Sequence, residues 1–108
     1  MNDFDPNRIY IKLTTAGDEY ADKEAAASLL EETKGTFLAQ LMVKLDSSMS
    51  VAARETEAKA DRAYEEHLRF MVEARKEANK AKVKYEAIKT WIDLQRTLEA
   101  NKRAELKL

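Results

Sequence analysis

Apolar residues recur at three- and four-residue steps through most of this chain, the spacing that lines one face of a helix. One stretch differs. Arg8-Ile9-Tyr10-Ile11-Lys12-Leu13 is enriched in β-branched and aromatic residues and predicts a short extended segment. With no second strand to pair with, it is expected to form part of an N-terminal arm over 1–15, packing on helices or pairing with another subunit. Around it, Asn2, Asp3, Asp5, Pro6 and Asn7 read as a turn or a frayed end.

Helix one is predicted over 16–46. Thr14, Thr15 and Asp18 offer capping oxygens at its start, and Tyr20, Ala26, Ala27, Leu30, Phe37, Leu41 and Leu45 form its stripe. Gly35 costs about 1 kcal/mol relative to alanine, but the stripe keeps its phase on both sides, so the helix is continued through it. Asp46-Ser47-Ser48-Met49-Ser50 gathers turn and capping residues. Ser50 then caps a short helical segment over 50–60, and Asp61 marks a kink or break before a long helix over 61–106. At 1.5 Å per residue that helix is roughly 65 Å long, more than an isolated domain of this size needs. Coiled-coil packing or oligomerisation is the natural use of such length.

The long helix carries a countable register. Tyr64, Met71, Ala78, Tyr85 and Ile92 form one seven-residue series, and His67, Ala74, Ala81 and Ile88 form the second, the alternating spacing of a coiled-coil seam. Its middle is small (Ala74, Ala78, Ala81), which lets a partner helix come close. Beyond Ile92 the seam turns polar at Gln95, Glu99 and Lys102, while Trp91, Leu94 and Leu98 make a second apolar stripe. That stripe has no obvious cover within a two-helix hairpin, because helix one is shorter than the long helix by roughly fifteen residues, and it is the candidate oligomer contact.

Beside the seam, Arg75, Lys82, Lys89, Arg96 and Arg103 occupy one heptad column. The plain reading is that they pair with acids on a facing helix or simply keep that edge solvated; Glu24 and Glu31 of helix one can answer two of the five. The sharper reading is a partner-binding edge for phosphate or an acidic protein surface. Charge is segregated along the chain: residues 1–35 hold eight acids and four bases, whereas residues 69–108 hold six acids and eleven bases. An acidic first part and a basic last part favour antiparallel folding-back or head-to-tail contact.

Composition narrows the function classes. The chain has 108 residues, 2 glycines, 1 proline, no cysteine, 36% charged residues and a net charge of −1. That length gives one domain at most. The absence of cysteine excludes a disulfide framework and a thiolate zinc site, and fits a reducing compartment. No apolar run approaches a membrane span, and the N-terminus has no signal-peptide pattern. A pI near 5.9 is well below that of a dedicated nucleic-acid binder, so nucleic acid is the weaker partner class. His67 is the only histidine and sits on the seam, as a packed or hydrogen-bonded residue rather than a base. Glu31-Glu32 and Glu65-Glu66 are adjacent pairs that point to different sides of a helix. Neither a metal-ligand spacing nor a phosphate-cradling loop is present, so the chain is expected to be non-catalytic, with no cofactor and no metal.

The segments His67-Leu68-x-x-Met71-Val72-Glu73-Ala74-Arg75, Lys84-Tyr85-Glu86-Ala87-Ile88-Lys89, Asp93-Leu94-Gln95-Arg96-Thr97 and Glu99-Ala100-x-x-Arg103-Ala104-Glu105 resemble small helical proteins of bacteriophages and prophages. Such proteins are often encoded near recombination and nuclease genes. The resemblance covers roughly residues 50–106 and carries no active site. It implies a cytoplasmic accessory protein, in the host cell if phage-encoded, whose partner belongs to DNA recombination, nuclease or anti-phage defence machinery.

The sequence therefore predicts an all-α protein, a helical hairpin or three-helix arrangement with one long C-terminal coiled-coil helix, self-associating and binding a protein partner. A nucleic-acid-binding accessory protein and a structural coiled coil are the alternatives.

Overall fold

The structure, a computed structural model, describes residues 5–107. Asn2 and Asp3 of the expected turn lie outside the described residues. Four helices follow one another: α1 (Pro6–Glu32), α2 (Lys34–Val43), α3 (Val51–Lys59) and α4 (Arg62–Leu106). The fold is all-α with one long C-terminal helix, and there is no strand among the described residues.

The extended arm is the main correction. Arg8–Leu13 lies inside α1, which begins at Pro6 rather than near Ala16. Asp5 caps it: the Asp5 carboxylate accepts from the Asn7 N–H at 3.0 Å, and its carbonyl accepts from the Ile9 N–H at 3.0 Å. Proline is well suited to the first helical position, where its missing N–H costs nothing. The residues that read as a turn are thus a helix start. Ile9, Leu13, Ala16 and Tyr20 fall at steps of four, three and four, and all are buried or half-buried. Packing of that stripe overrides the strand preference of Ile9, Tyr10 and Ile11, which is strongly context-dependent. Thr14, expected near a cap, donates instead to the Tyr10 carbonyl at 2.8 Å.

Helix one is also interrupted, at Thr33. The ladder continues across it, with Thr33 N–H on the Leu29 carbonyl at 3.0 Å and Phe37 N–H on the Thr33 carbonyl at 2.9 Å. The Thr33 hydroxyl donates to the same Leu29 carbonyl at 2.7 Å, a back-bond that bends helices. Gly35 itself lies inside α2. Downstream, Ser50 caps α3 as expected, its hydroxyl accepting from the Ala53 N–H at 3.1 Å. The Asp61 carboxylate accepts from the Ala63 N–H at 2.8 Å and starts α4.

The contacts group into two compact units, one formed by residues through Asp22 together with those from Asn79 on, the other by Lys23–Ala78. In the first, α1 and α4 run antiparallel. Ala16, Ala81 and Ile92 are buried, the Tyr20 and Tyr85 rings lie 6.1 Å apart, and a Cβ on Gly17 would come within 3.3 Å of the Tyr85 ring. In the second unit, Ala27, Ala58, Tyr64 and Ala78 are buried, and α2 packs on α3. Both cores are thin and rich in alanine.

The seam of α4 is where the register places it. All nine of its positions are buried or half-buried, with Ala78 fully covered at 0% exposure. Two details differ from the sequence reading. Ala26 is exposed and only Ala27 of that pair is buried; Gln95, expected to have left the seam, is still half-buried.

Candidate functional site

Five side chains of one α4 column carry the candidate partner-binding edge, and the structure divides them unequally. Arg75 takes both Glu24 and Glu31 of α1. Its Nε and Nη2 donate to the two carboxylate oxygens of Glu31 at 2.8 and 2.7 Å, and its Nη1 donates to Glu24 at 2.6 Å. Glu24 and Glu31 therefore answer one column residue, not two. The reason is geometric. The acids are seven residues apart on the facing helix, and a guanidinium presents donors along both edges of a rigid fork. The Arg75 hydrogen bond holds the Glu31 carboxyl below its ordinary pKa, against a smaller upward push from desolvation. The same bonds, from Glu31 first and Glu24 second, raise the Arg75 pKa.

Lys82, Lys89, Arg96 and Arg103 are exposed, and none of them makes an ion pair among the described residues. Lys89 lies 5.3 Å from the centroid of the Tyr85 ring. From Lys82 to Arg103 the column covers roughly 32 Å of helix at 1.5 Å per residue. Every residue from Arg96 to Lys107 is exposed.

The apolar stripe is part of the same stretch. Trp91, Leu94 and Leu98 are 40%, 53% and 46% exposed. Trp91 is not wholly bare, because the longer α1 reaches it: Ile9 and Trp91 line a common hollow of about 570 Å³. That hollow was hidden from the sequence reading by the strand assignment of Arg8–Leu13. The spacing of Ile9, Leu13, Ala16 and Tyr20, together with the Asp5-Pro6 start, is the signal that reveals it.

His67 packs as its seam position implies. Its ring stacks on Phe37 with centroids 4.7 Å apart, and its Nε2 sits 3.2 Å from the Leu30 carbonyl oxygen. Glu65 pairs with Arg69 at 2.7 Å and Glu66 with Arg62 at 3.6 Å, both one helical turn away. Among the described residues no group of three or more His, Cys, Asp or Glu side chains is arranged to hold a metal ion, and no helix is long and apolar enough to cross a membrane.

Compared with protein-family models, curated proteins and solved structures, the chain matches none.

Proposed function

We propose that this protein is a non-catalytic accessory protein that binds a protein partner through the basic end of α4. The observation that carries the reading is the contrast within one column: Arg75 is neutralised twice over, whereas Lys82, Lys89, Arg96 and Arg103 are exposed and unanswered by acids among the described residues. Here the acids stop at the first position of the column, and the exposed cations beyond it offer charge steering to an acidic surface on a partner. The resemblance to phage and prophage helical proteins supports a partner in recombination, nuclease or anti-phage defence machinery.

The unanswered cations also favour a second reading, direct binding of nucleic acid along the same edge. The two separate by salt. Contacts to phosphate weaken steeply as salt rises, while a protein interface with an apolar centre holds. Lys89→Glu, Arg96→Glu and Arg103→Glu combined should abolish capture of one defined protein complex at high salt, with helicity unchanged by circular dichroism. Loss of DNA retention alone, with partner capture intact, moves the second reading ahead.

A further inference from the structure

We propose that the groove between the start of α1 and the second half of α4 is a docking site for a partner helix with one apolar and one acidic face. Its floor is Ile9, Ala87, Ile88 and Trp91, and its rim is Arg8, Lys12 and Lys84. A second hollow of about 390 Å³ adjoins it, between Ile11 and Ala16 of α1, and is rimmed by the same three cations. No acidic side chain lines either hollow. Glu19, on the exposed surface, lies 3.5 Å from Lys84.

Shape selects a helix. Two antiparallel helices leave a trough with no third wall, which is too open to enclose a small ligand as a binding cavity does. The apolar track continues along α4 as Val83, Ala87, Trp91, Leu94 and Leu98, at steps of four, four, three and four. All five are exposed, and they cover roughly 22 Å at 1.5 Å per residue. A helix laid along that track buries its own three- and four-step anchors against it, the helix-in-groove mode of recognition. A lipid surface fits less well, because the site is concave between two helices.

Charge selects an acidic partner over an antiparallel second copy of this chain. Lys84 and Lys102 flank the track on one side. Two copies packed antiparallel about a two-fold axis between Trp91 and Leu94 set Lys84 of each opposite Lys102 of the other. Like charges facing across an interface disfavour that pairing, while glutamates on a foreign helix meet Arg8, Lys12 and Lys84 with the right sign.

This inference rests on the protein-binding reading but uses a different face from the basic column, so the two fail separately. Trp91 is the sole tryptophan and lies in the groove, which makes its emission a local reporter. The probe is a dye-labelled helical peptide of about four heptads, with leucine at the a and d positions and glutamate on both flanks, compared with its lysine-flanked twin. The glutamate peptide should shift Trp91 emission to the blue and saturate in anisotropy, with about tenfold or greater preference over the twin. Combined Arg8→Glu, Lys12→Glu and Lys84→Glu should reverse that preference. Glutamate in the first turn of α1 suits the helix dipole, and circular dichroism checks that the variant is folded. The column variant Lys89→Glu, Arg96→Glu, Arg103→Glu should keep the response. Equal binding of both peptides, binding of neither, or loss of the response in the column variant overturns the proposal. So does a blue shift with anionic vesicles but not with the glutamate peptide, or a concentration-dependent shift of the protein alone.

Discussion

Arg75 grips Glu31 with two parallel hydrogen bonds, Nε to one carboxylate oxygen at 2.8 Å and Nη2 to the other at 2.7 Å. The two residues are 44 positions apart in sequence and tie α4 to α1 within one unit of the fold. Glu31 is held below its ordinary pKa by this contact. A carboxyl whose folded pKa is depressed contributes stability that is fully present above its unfolded pKa, roughly 4.3, and lost as pH falls through the folded value. Thermal stability of the wild type should therefore fall below about pH 4. Arg75→Gln should lower stability at neutral pH and flatten the acid limb, measured by melting curves from pH 7 down to pH 2. An unchanged acid limb in the variant would mean that other carboxyls, such as Asp46 held low by Ser48, carry the whole slope.

The two glycines separate propensity from packing. Gly35 has nothing within 4 Å of a Cβ built on it, so Gly35→Ala should stabilise by about 0.5–1 kcal/mol through helix propensity alone. At Gly17 the same gain is opposed, because the added Cβ presses on the Tyr85 ring at 3.3 Å. Gly17→Ala should raise the melting temperature less than Gly35→Ala, or lower it. If both alanines stabilise equally, the close approach at Gly17 is not maintained in solution.

Asp5 tests where α1 starts. Removing a capping side chain costs about 1 kcal/mol, and Asp5→Ala should do so while amide exchange speeds up at Asn7 and Ile9, whose N–H groups bond to Asp5. An Asp5→Ala chain with unchanged exchange over residues 7–13 would return that stretch to the extended arm.

Ala78 is fully buried at the small centre of the seam. Ala78→Leu should overpack it and cost about 1–3 kcal/mol by chemical denaturation. A gain in stability would place residue 78 outside the contact.

How far the sequence carried follows from these residues. The seam of α4, the Ser50 cap, the Asp61 break and the packed state of His67 were all legible, because each rests on local spacing or capping chemistry. The start of α1 was not. Ile9, Tyr10 and Ile11 carry strand propensity, and the decision for helix is made by packing of the Ile9, Leu13, Ala16 and Tyr20 stripe, which a propensity count does not contain. From that one misreading came two others: Trp91 looked bare because α1 seemed ten residues shorter, and the groove rimmed by Arg8, Lys12 and Lys84 could not be drawn. The break at Thr33 was missed for another reason. A single hydroxyl bonding back to Leu29 leaves no mark in an apolar pattern. The basic column was visible as five equal positions, but nothing in the spacing told that Glu24 and Glu31 would both spend themselves on Arg75.

The central claim is that the basic end of α4 meets a protein. Site-specific photocrosslinking tests it most directly, with a photoreactive residue placed in turn at positions 96 and 103, and at Lys76 on the same helix as a control. In the producing cell, positions 96 and 103 should yield one discrete protein adduct that survives high salt and nuclease treatment, and position 76 should not. Adducts to nucleic acid alone, or no adduct stronger than that of the control, would contradict the account.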